Sequence, residues 1–518
     1  MSQGSRTTRG ALAAMGVLAA VSLALTGCSP SGTPAPSGSA AADGGKLVIG
    51  VTSDPDTLFP WKATQFQAVH VLENVYGTLT EFDKDLNVVP GLAESWEVSD
   101  DGLTVTFKLR SGVTFEDGSS FGSEDVKSSF DKIMDEATAA VSAASLASVT
   151  KVEAPDEHTV VLTLSAPDAA LPANLAVLGT AILSSDDTEQ ALNTEPNGTG
   201  PFSFKDRVAS QSLTLVKNEN YWGDGPKLDS IEFRVIPDES SIVAAMQSGN
   251  VQFAVFDDPL VAKTAAGGNI TVSNTPQLSY HALQLNARKG ALTDVNVRLA
   301  IQCAIDRQQV LDTAALGEGE VTGPITSPAF KSDPSARPCP DRDLDKAKEY
   351  LAKAGKSDGV TVHAIVSQGE YATSVNEAQN VKSQLAEAGI NLDIEVLESG
   401  AYVDRWIAAD FEAAIALNGG RPDPDGMYGR YFTSTGNLNK VAGYSSPELD
   451  KLFAEGKATS DPAARKAIYD KVSLELENNA AWIWMFTSYT YTATTSSVQG
   501  FTPMANGSLQ YLRTTTVK

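Results

Sequence analysis

Between residues 360 and 417 the chain switches repeatedly between two hydrophobic periods, and that switching restricts the fold more than any other stretch. Val360, Val362, Ala364 and Val366 recur with period two, as do Ile390, Leu392, Ile394 and Val396, which is the signature of strands. Between them, residues 375–388 follow a helical period that Gly389 stops. Residues 402–409 read as another helix, and 411–417 is a short, largely apolar run, the pattern of a buried strand. Strand, helix, strand, helix, strand at this spacing implies a parallel sheet with right-handed crossovers, so the class is α/β. Helices are also predicted over 343–354, closed by Gly355, and over 294–311, with Val297, Ile301 and Ile305 on one face. Two more begin at Ser446/Pro447 and Asp461/Pro462, each an N-cap residue followed by proline at the first helical position. An apolar strand is expected over 481–486.

The first half reads differently. A strand over 46–51 is followed by a helix over 65–76 with Val69, Leu72 and Val75 on one face. Val105, Phe107 and Leu109 then alternate with polar residues after Asp101-Gly102, a hairpin signal. Ser123 is an expected N-cap for a helix carrying Val126 and Phe130, and 149–164 repeats the hairpin pattern. At 518 residues the chain exceeds what one core serves, so two or more domains are expected.

Residues 1–27 have the form of a signal peptide, with Arg6 and Arg9 ahead of an apolar stretch too short to span a bilayer comfortably. The segment ends Leu25-Thr26-Gly27-Cys28, a lipobox, which predicts acylation of Cys28. Residues 28–45 are rich in Ser, Pro, Gly and Ala and read as a flexible tether, giving an extracytoplasmic protein anchored by lipid. Cys303 and Cys339 remain, the number for one disulfide in an oxidising compartment, the alternative being two separate buried thiols. The net charge of −25 argues against nucleic acid as a partner.

Nothing assembles into a catalytic or metal constellation. The four histidines, His70, His158, His281 and His363, are scattered, and no zinc spacing occurs. Ser129-x-x-Lys132 and Ser148-x-x-Lys151 lack the companion motifs of Ser-Lys enzymes, which leaves a secreted serine hydrolase as a distant alternative. No cofactor or metal is expected. A structural surface lipoprotein would fit the anchor alone.

The strand over 411–417 runs into Asn418-Gly419-Gly420-Arg421-Pro422-Asp423-Pro424-Asp425-Gly426. Glycines permit close backbone approach, prolines stiffen the loop, and ligands in open α/β sheets sit beyond the carboxyl ends of strands. This loop is the expected binding site, although Asp-Pro and Asp-Gly also mark ordinary turns.

The ordered wording of the chain resembles the family 5 solute-binding proteins, the extracytoplasmic receptors of peptide/nickel-type ABC importers. It consists of Gly91-Leu-Ala-Glu-Ser-Trp96, Thr104-Val-Thr-Phe-Lys-Leu-Arg110, Gly112-Val-Thr-Phe-Glu-Asp-Gly118, Asn197-Gly-Thr-Gly-Pro-Phe202, the stretch around Tyr221-Trp222, and Asp294-Val-Asn-Val-Arg-Leu-Ala300 with Ala304-Ile-Asp-Arg307. The resemblance implies a two-lobed periplasmic-binding-protein-like fold (type II, cluster C-like). Lobe I would span 46–280 with a β-rich insert at about 77–197, lobe II 281–486, and 487–518 would return to lobe I. Hinges are expected at 280–286 and 487–492. It also implies an (oligo)peptide or similar small polar solute as ligand, permease and ATPase subunits as partners, and a monomer. The expected ligand contacts are Trp61, Tyr402, Asn418, Gly419, Gly420, Arg421, Asp423 and Trp484, with Trp406 and Trp482 as further aromatic candidates. One departure stands out: where peptide receptors of this family often place an aspartate for the ligand's ammonium, three residues before Asp423-Pro424, this chain has Gly420. With Arg421 beside it, that leaves a non-peptide ligand (an oligosaccharide, an opine-like or another anionic solute) as the alternative. It also predicts that Gly420→Asp alters ligand choice without abolishing the fold.

Overall fold

The computed structural model describes residues 44–368 and 372–518. The leader, Cys28 and the tether up to residue 43 lie outside them. A mixed sheet of twelve strands runs through the molecule. From one edge the order is Ile390–Glu398, Val360–Gln368, Ala413–Asn418, Tyr280–Leu285, Trp482–Thr495, Phe253–Phe256, Lys46–Val51, Ser230–Val235, Ser212–Lys217 and Phe202–Val208. Ile270–Pro276 and Gly319–Val321 also pair with Trp482–Thr495. Val360–Gln368 is parallel to both Ile390–Glu398 and Ala413–Asn418, as the alternation of periods requires.

The central strands of the second lobe are buried on both faces, so a period of two sends successive residues into two different cores. Trp482 and Trp484 join Tyr280, Tyr428 and Phe432 on one face, while Ile483 and Met485 join Leu283, Ile415 and Val381 on the other. The first lobe has its own core, in which Phe107, Phe130 and Phe202 are wholly buried; each such side chain contributes about 1.5–3 kcal/mol. The expected insert is present as a four-stranded antiparallel sheet, in the order Ala93–Val98, Thr104–Leu109, Thr159–Leu164, Val149–Asp156.

Most helix limits follow their local signals. Asp343, Ser446 and Asp461 each accept a backbone N–H at their helix starts. Two expectations fail for local reasons. The segment 294–311 is two helices, Val295–Ala304 and Arg307–Ala314, because Ile305 is extended and the Asp306 carboxylate caps the second by accepting from Gln309 N. Ser123 is not an N-cap; Gly122 holds that position, its N–H donates to the Asp125 carboxylate, and Ser123 Oγ donates to Asp156 O at 2.6 Å. Cys303, near the end of the first of the two helices, is bonded to Cys339, with their Cα atoms 5.0 Å apart.

Candidate functional site

The chain passes between the lobes at two adjacent places. Along Trp482–Thr495, residues up to Ser488 pair with Tyr280–Leu285 and Gly319–Val321, whereas Tyr489 onward pairs with Phe253–Phe256 and Ile270–Pro276. The second passage is Gln277-Leu278-Ser279, between Ile270–Pro276 and Tyr280–Leu285. The two passages are tied together: Gln277 N donates to Ser488 O at 2.9 Å, and Thr487 Oγ1 lies 2.7 Å from the carbonyls of both Gln277 and Ser279. The expected crossing at 280–286 is thus displaced to 277–279, because Tyr280–Leu285 is a fully buried strand of the second lobe.

These passages floor a cavity of about 1360 Å³ walled by both lobes. Its apolar wall is unusual in being solvent-facing: Phe66 is 65% exposed, Leu316 62%, Leu260 59% and Leu417 38%, and all four face the cavity. Tyr489 and Tyr491 add aromatic surface. The helix Phe66–Leu72 buries Ala68, Val71 and Leu72 in the first lobe, which leaves Phe66 and Val69 on the cavity side. Val69 therefore does not belong to the core face expected of it.

The polar wall carries more negative than positive charge. Burial raises the pKa values of the Glu239 and Asp257 carboxyls above the ordinary range, with the neighbouring acids Asp257 and Asp258 adding to the effect at Glu239. Glu73 is pushed up to about 7 by burial, against hydrogen bonds from Ser508 Oγ at 2.6 Å and Leu509 N at 2.5 Å. Burial pushes His70 down to about 4, and its Nε2 lies 3.0 Å from Gly507 O. Glu318 is engaged by Lys263 and by the Tyr491 hydroxyl. Arg513 is matched by Glu81 at 2.8 Å. His281 lies at the floor, with Nδ1 2.9 Å from Glu377 Oε1, Nε2 3.0 Å from Ser488 Oγ, and its ring stacked on Phe486.

The residues expected from sequence divide sharply. Gly419 and Gly420 line the cavity, with Leu417 and Pro422 beside them. Asn418 stands behind the wall: its Oδ1 accepts from Gln284 Nε2 at 3.1 Å, and Gln284 Oε1 accepts from Trp406 Nε1 at 2.7 Å. Arg421 is exposed, faces the like charge of Arg430, and does not line the cavity. Asp423 is buried and holds the Arg465 guanidinium through both carboxylate oxygens, so it is committed to the fold. Trp61 is in the first-lobe core and donates to Ala181 O at 2.8 Å. Tyr402 is packed under the sheet and donates to Ile415 O at 2.8 Å. Trp484 donates to the Tyr428 hydroxyl at 2.9 Å, and Trp482 to Ala442 O at 3.0 Å. All four rings are core: Trp482 and Trp484 because both faces of their strand are covered, Trp61 and Tyr402 because their helices turn them inward. A Cβ at Gly420 would stand 1.8 Å from Leu278 O, so Gly420→Asp would press on the passage between the lobes as well as add a charge.

Sequence reading missed Phe66, Leu260, Glu239, Asp257 and Tyr489. A signal existed for Phe66, an aromatic off the apolar face of its helix. The others come from elements far apart in sequence. Among the described residues no group of three or more His, Cys, Asp or Glu could hold a metal ion, and no helix is long and apolar enough to cross a membrane.

The profile of the bacterial extracellular solute-binding proteins, family 5 (middle), matches residues 87–439. The glutathione-binding protein GsiB of Escherichia coli is 28% identical over 483 residues, covering 88% of this chain and 91% of that protein. DppA from Helicobacter pylori, an ABC transporter-associated periplasmic binding protein solved with the peptide STSA, superposes with a TM-score of 0.69 at 27% identity, covering 92% of this chain and 98% of that one. MppA, a periplasmic murein tripeptide-binding protein in its unliganded open form, shares the fold with a TM-score of 0.84 at 22% identity, over 93% of this chain and 99% of that one. The chain belongs to the family 5 bacterial extracellular solute-binding proteins, the substrate-binding components of ABC importers.

Proposed function

We propose that the ligand is a short peptide, or a closely similar amine-bearing solute, held in the cavity between the lobes and passed to the permease and ATPase subunits of the importer. The observation that carries this reading is the pairing of exposed apolar walls (Phe66, Leu260, Leu316, Leu417) with the carboxylates Glu239 and Asp257, which have no cationic partner in an ion pair among the described residues. Apolar surface suits side chains, backbone edges at Gly419 and Gly420 suit peptide groups, and carboxylates of raised pKa suit an ammonium. Peptidic ligands in the names of GsiB, DppA and MppA support the same class. An anionic ligand is the weaker reading, because Arg421 does not line the cavity and Arg513 is already matched by Glu81.

In this reading the lobes close by rotation about 277–279 and 488–489, burying the ligand. The closer likeness to the unliganded open form of MppA than to the peptide complex of DppA supports an open state. The Leu-Thr-Gly-Cys28 ending supports a lipid anchor on the outer side of the cell membrane, and the protein works as a monomeric receptor rather than an enzyme.

Calorimetry with tri- to pentapeptides, their N-acetylated forms, oligosaccharides and small organic acids tests the ligand class. Tight binding of free peptides, lost on acetylation, is expected; binding of the acids or sugars alone overturns the reading. Small-angle scattering with saturating peptide should show compaction, and unchanged dimensions would refute closure. Cys28→Ala should leave the protein unprocessed or released, and a mutant still processed and membrane-bound would refute the anchor.

A further inference from the structure

Far from any role assigned above, the second lobe encloses two arginines that the fold does not satisfy. Arg307, at the start of the helix Arg307–Ala314, has a relative exposure of 4%, and Arg337, two residues before Cys339, has 7%. Arg307 Nε donates to Trp484 O at 2.9 Å, but its Nη1 and Nη2 have no partner among the described residues. Arg337 Nη2 donates to Thr322 O at 2.9 Å, while its Nε and Nη1 likewise have none. The two are drawn together because Thr322 N donates in turn to Met485 O, the residue after Trp484. The disulfide from Cys303 to Cys339 closes the loop that carries Arg337 over this region.

The charge here does not balance. The buried carboxylate beside the pair is Glu477, whose Oε1 lies 3.3 Å from Arg337 Nη2 in an ion pair without hydrogen-bond geometry. Its other oxygen accepts from Gln302 Nε2 at 2.9 Å. The remaining acids that act on the pair are Asp306, whose carboxylate caps its own helix, and Asp333, whose carboxylate accepts from Ser335. Burial and the charge of Arg337 push Arg307 down to about 9. Buried guanidinium N–H groups without acceptors are costly, and a buried like-charge pair with one counter-charge costs more.

We infer that Arg307 and Arg337 form a binding site for a small monovalent inorganic anion of halide size, which accepts from their unpartnered N–H groups and completes the charge balance with Glu477. A single water could accept from only two donors and would leave the net positive charge in place. The site lies in the second-lobe core, so its occupant is part of the receptor's architecture rather than its cargo.

Bromide is the probe. Crystals of the mature protein grown in sodium bromide, measured at the bromine edge, should show an anomalous peak within hydrogen-bonding distance of Arg307 and Arg337. Absence of a peak there, with ordinary water density instead, overturns the inference. In solution, melting should be higher in sodium chloride or bromide than in gluconate at equal ionic strength, by at least about 2 °C. Equal melting in both salts overturns it. Arg307→Met should lose the halide dependence, and Glu477→Gln, which removes the buried counter-charge, should enlarge it. If Arg307→Met does not fold, the bromide map and the response of Glu477→Gln decide, and a variant Glu477→Gln with no greater halide dependence than wild type counts against the site.

Discussion

Gly420 lies so close to the carbonyl of Leu278 that a Cβ at 420 would stand 1.8 Å from that oxygen. The same oxygen accepts a hydrogen bond from Thr326 Oγ1 at 2.5 Å, so it cannot retreat without breaking a buried contact. Leu278 belongs to the passage between the lobes, and Gly420 to the cavity wall. The glycine is there for proximity, not for a left-handed backbone, since its φ is not positive. Gly420→Ala is therefore expected to destabilise by about 1–3 kcal/mol through overpacking, with Gly420→Asp worse. Urea unfolding measures this, and a midpoint equal to wild type would show that the passage yields freely.

How much of this was legible in the sequence depends on range. The parallel arrangement of Val360–Gln368 with its neighbours, and the caps at Asp343, Ser446 and Asp461, follow from period and nearest neighbours, and the sequence contains both. Asp306 was also a local signal, an N-cap residue set inside an apparently continuous helix. The cavity was not legible to the same degree. Trp61, Tyr402 and Trp484 carry the same residue-level signal as Tyr489, but only tertiary packing around each element decides which ring is core and which is wall. Asp423 illustrates the point: a loop carboxylate reads as a ligand group until Arg465, from another element, is found holding it.

That ion pair gives the second prediction. Arg465 is buried against Asp423, which raises its pKa, and it also stacks over Phe330 and Tyr469. Asp423→Asn keeps the shape but leaves an uncompensated buried cation, at a cost of about 3–5 kcal/mol. Guanidinium unfolding of the variant checks this. Peptide affinity of the protein that remains folded should be little changed, and a selective loss of binding at unchanged stability would return Asp423 to the ligand site.

Cys303 and Cys339 are 36 residues apart, and their bond restricts the unfolded chain. Replacing both by alanine should cost about 3–4 kcal/mol on loop entropy. The loop they close carries Thr326 and Arg337, so the loss should be accompanied by faster amide exchange in residues 322–340. Unfolding of reduced and oxidised wild type provides the comparison without any substitution, and equal midpoints would contradict it.

The last prediction concerns Glu73, whose carboxyl is pushed up to about 7 in the folded chain from an ordinary value of 4.5. Raised by burial, the folded state binds its proton more tightly than the unfolded state does. Stability from this group is fully present below the unfolded value and falls as pH rises between about 4.5 and 7, by the linkage between proton uptake and folding. Glu73→Gln removes that dependence while keeping an oxygen for Leu509 N and an amide for Ser508 Oγ, the two groups that hold the 507–509 loop against the cavity. His70, pushed down to about 4 on the same helix, titrates in the opposite sense: its contribution is present above 6.5 and is lost as pH falls toward 4. It is common to both proteins and cancels in their difference. The stability of wild type minus that of Glu73→Gln should therefore decrease by about 1–3 kcal/mol from pH 4.5 to pH 8. Paired thermal melts across that range measure the difference, and a difference that is flat or rises with pH would mean that Glu73 is held ionised by Ser508 and Leu509 instead.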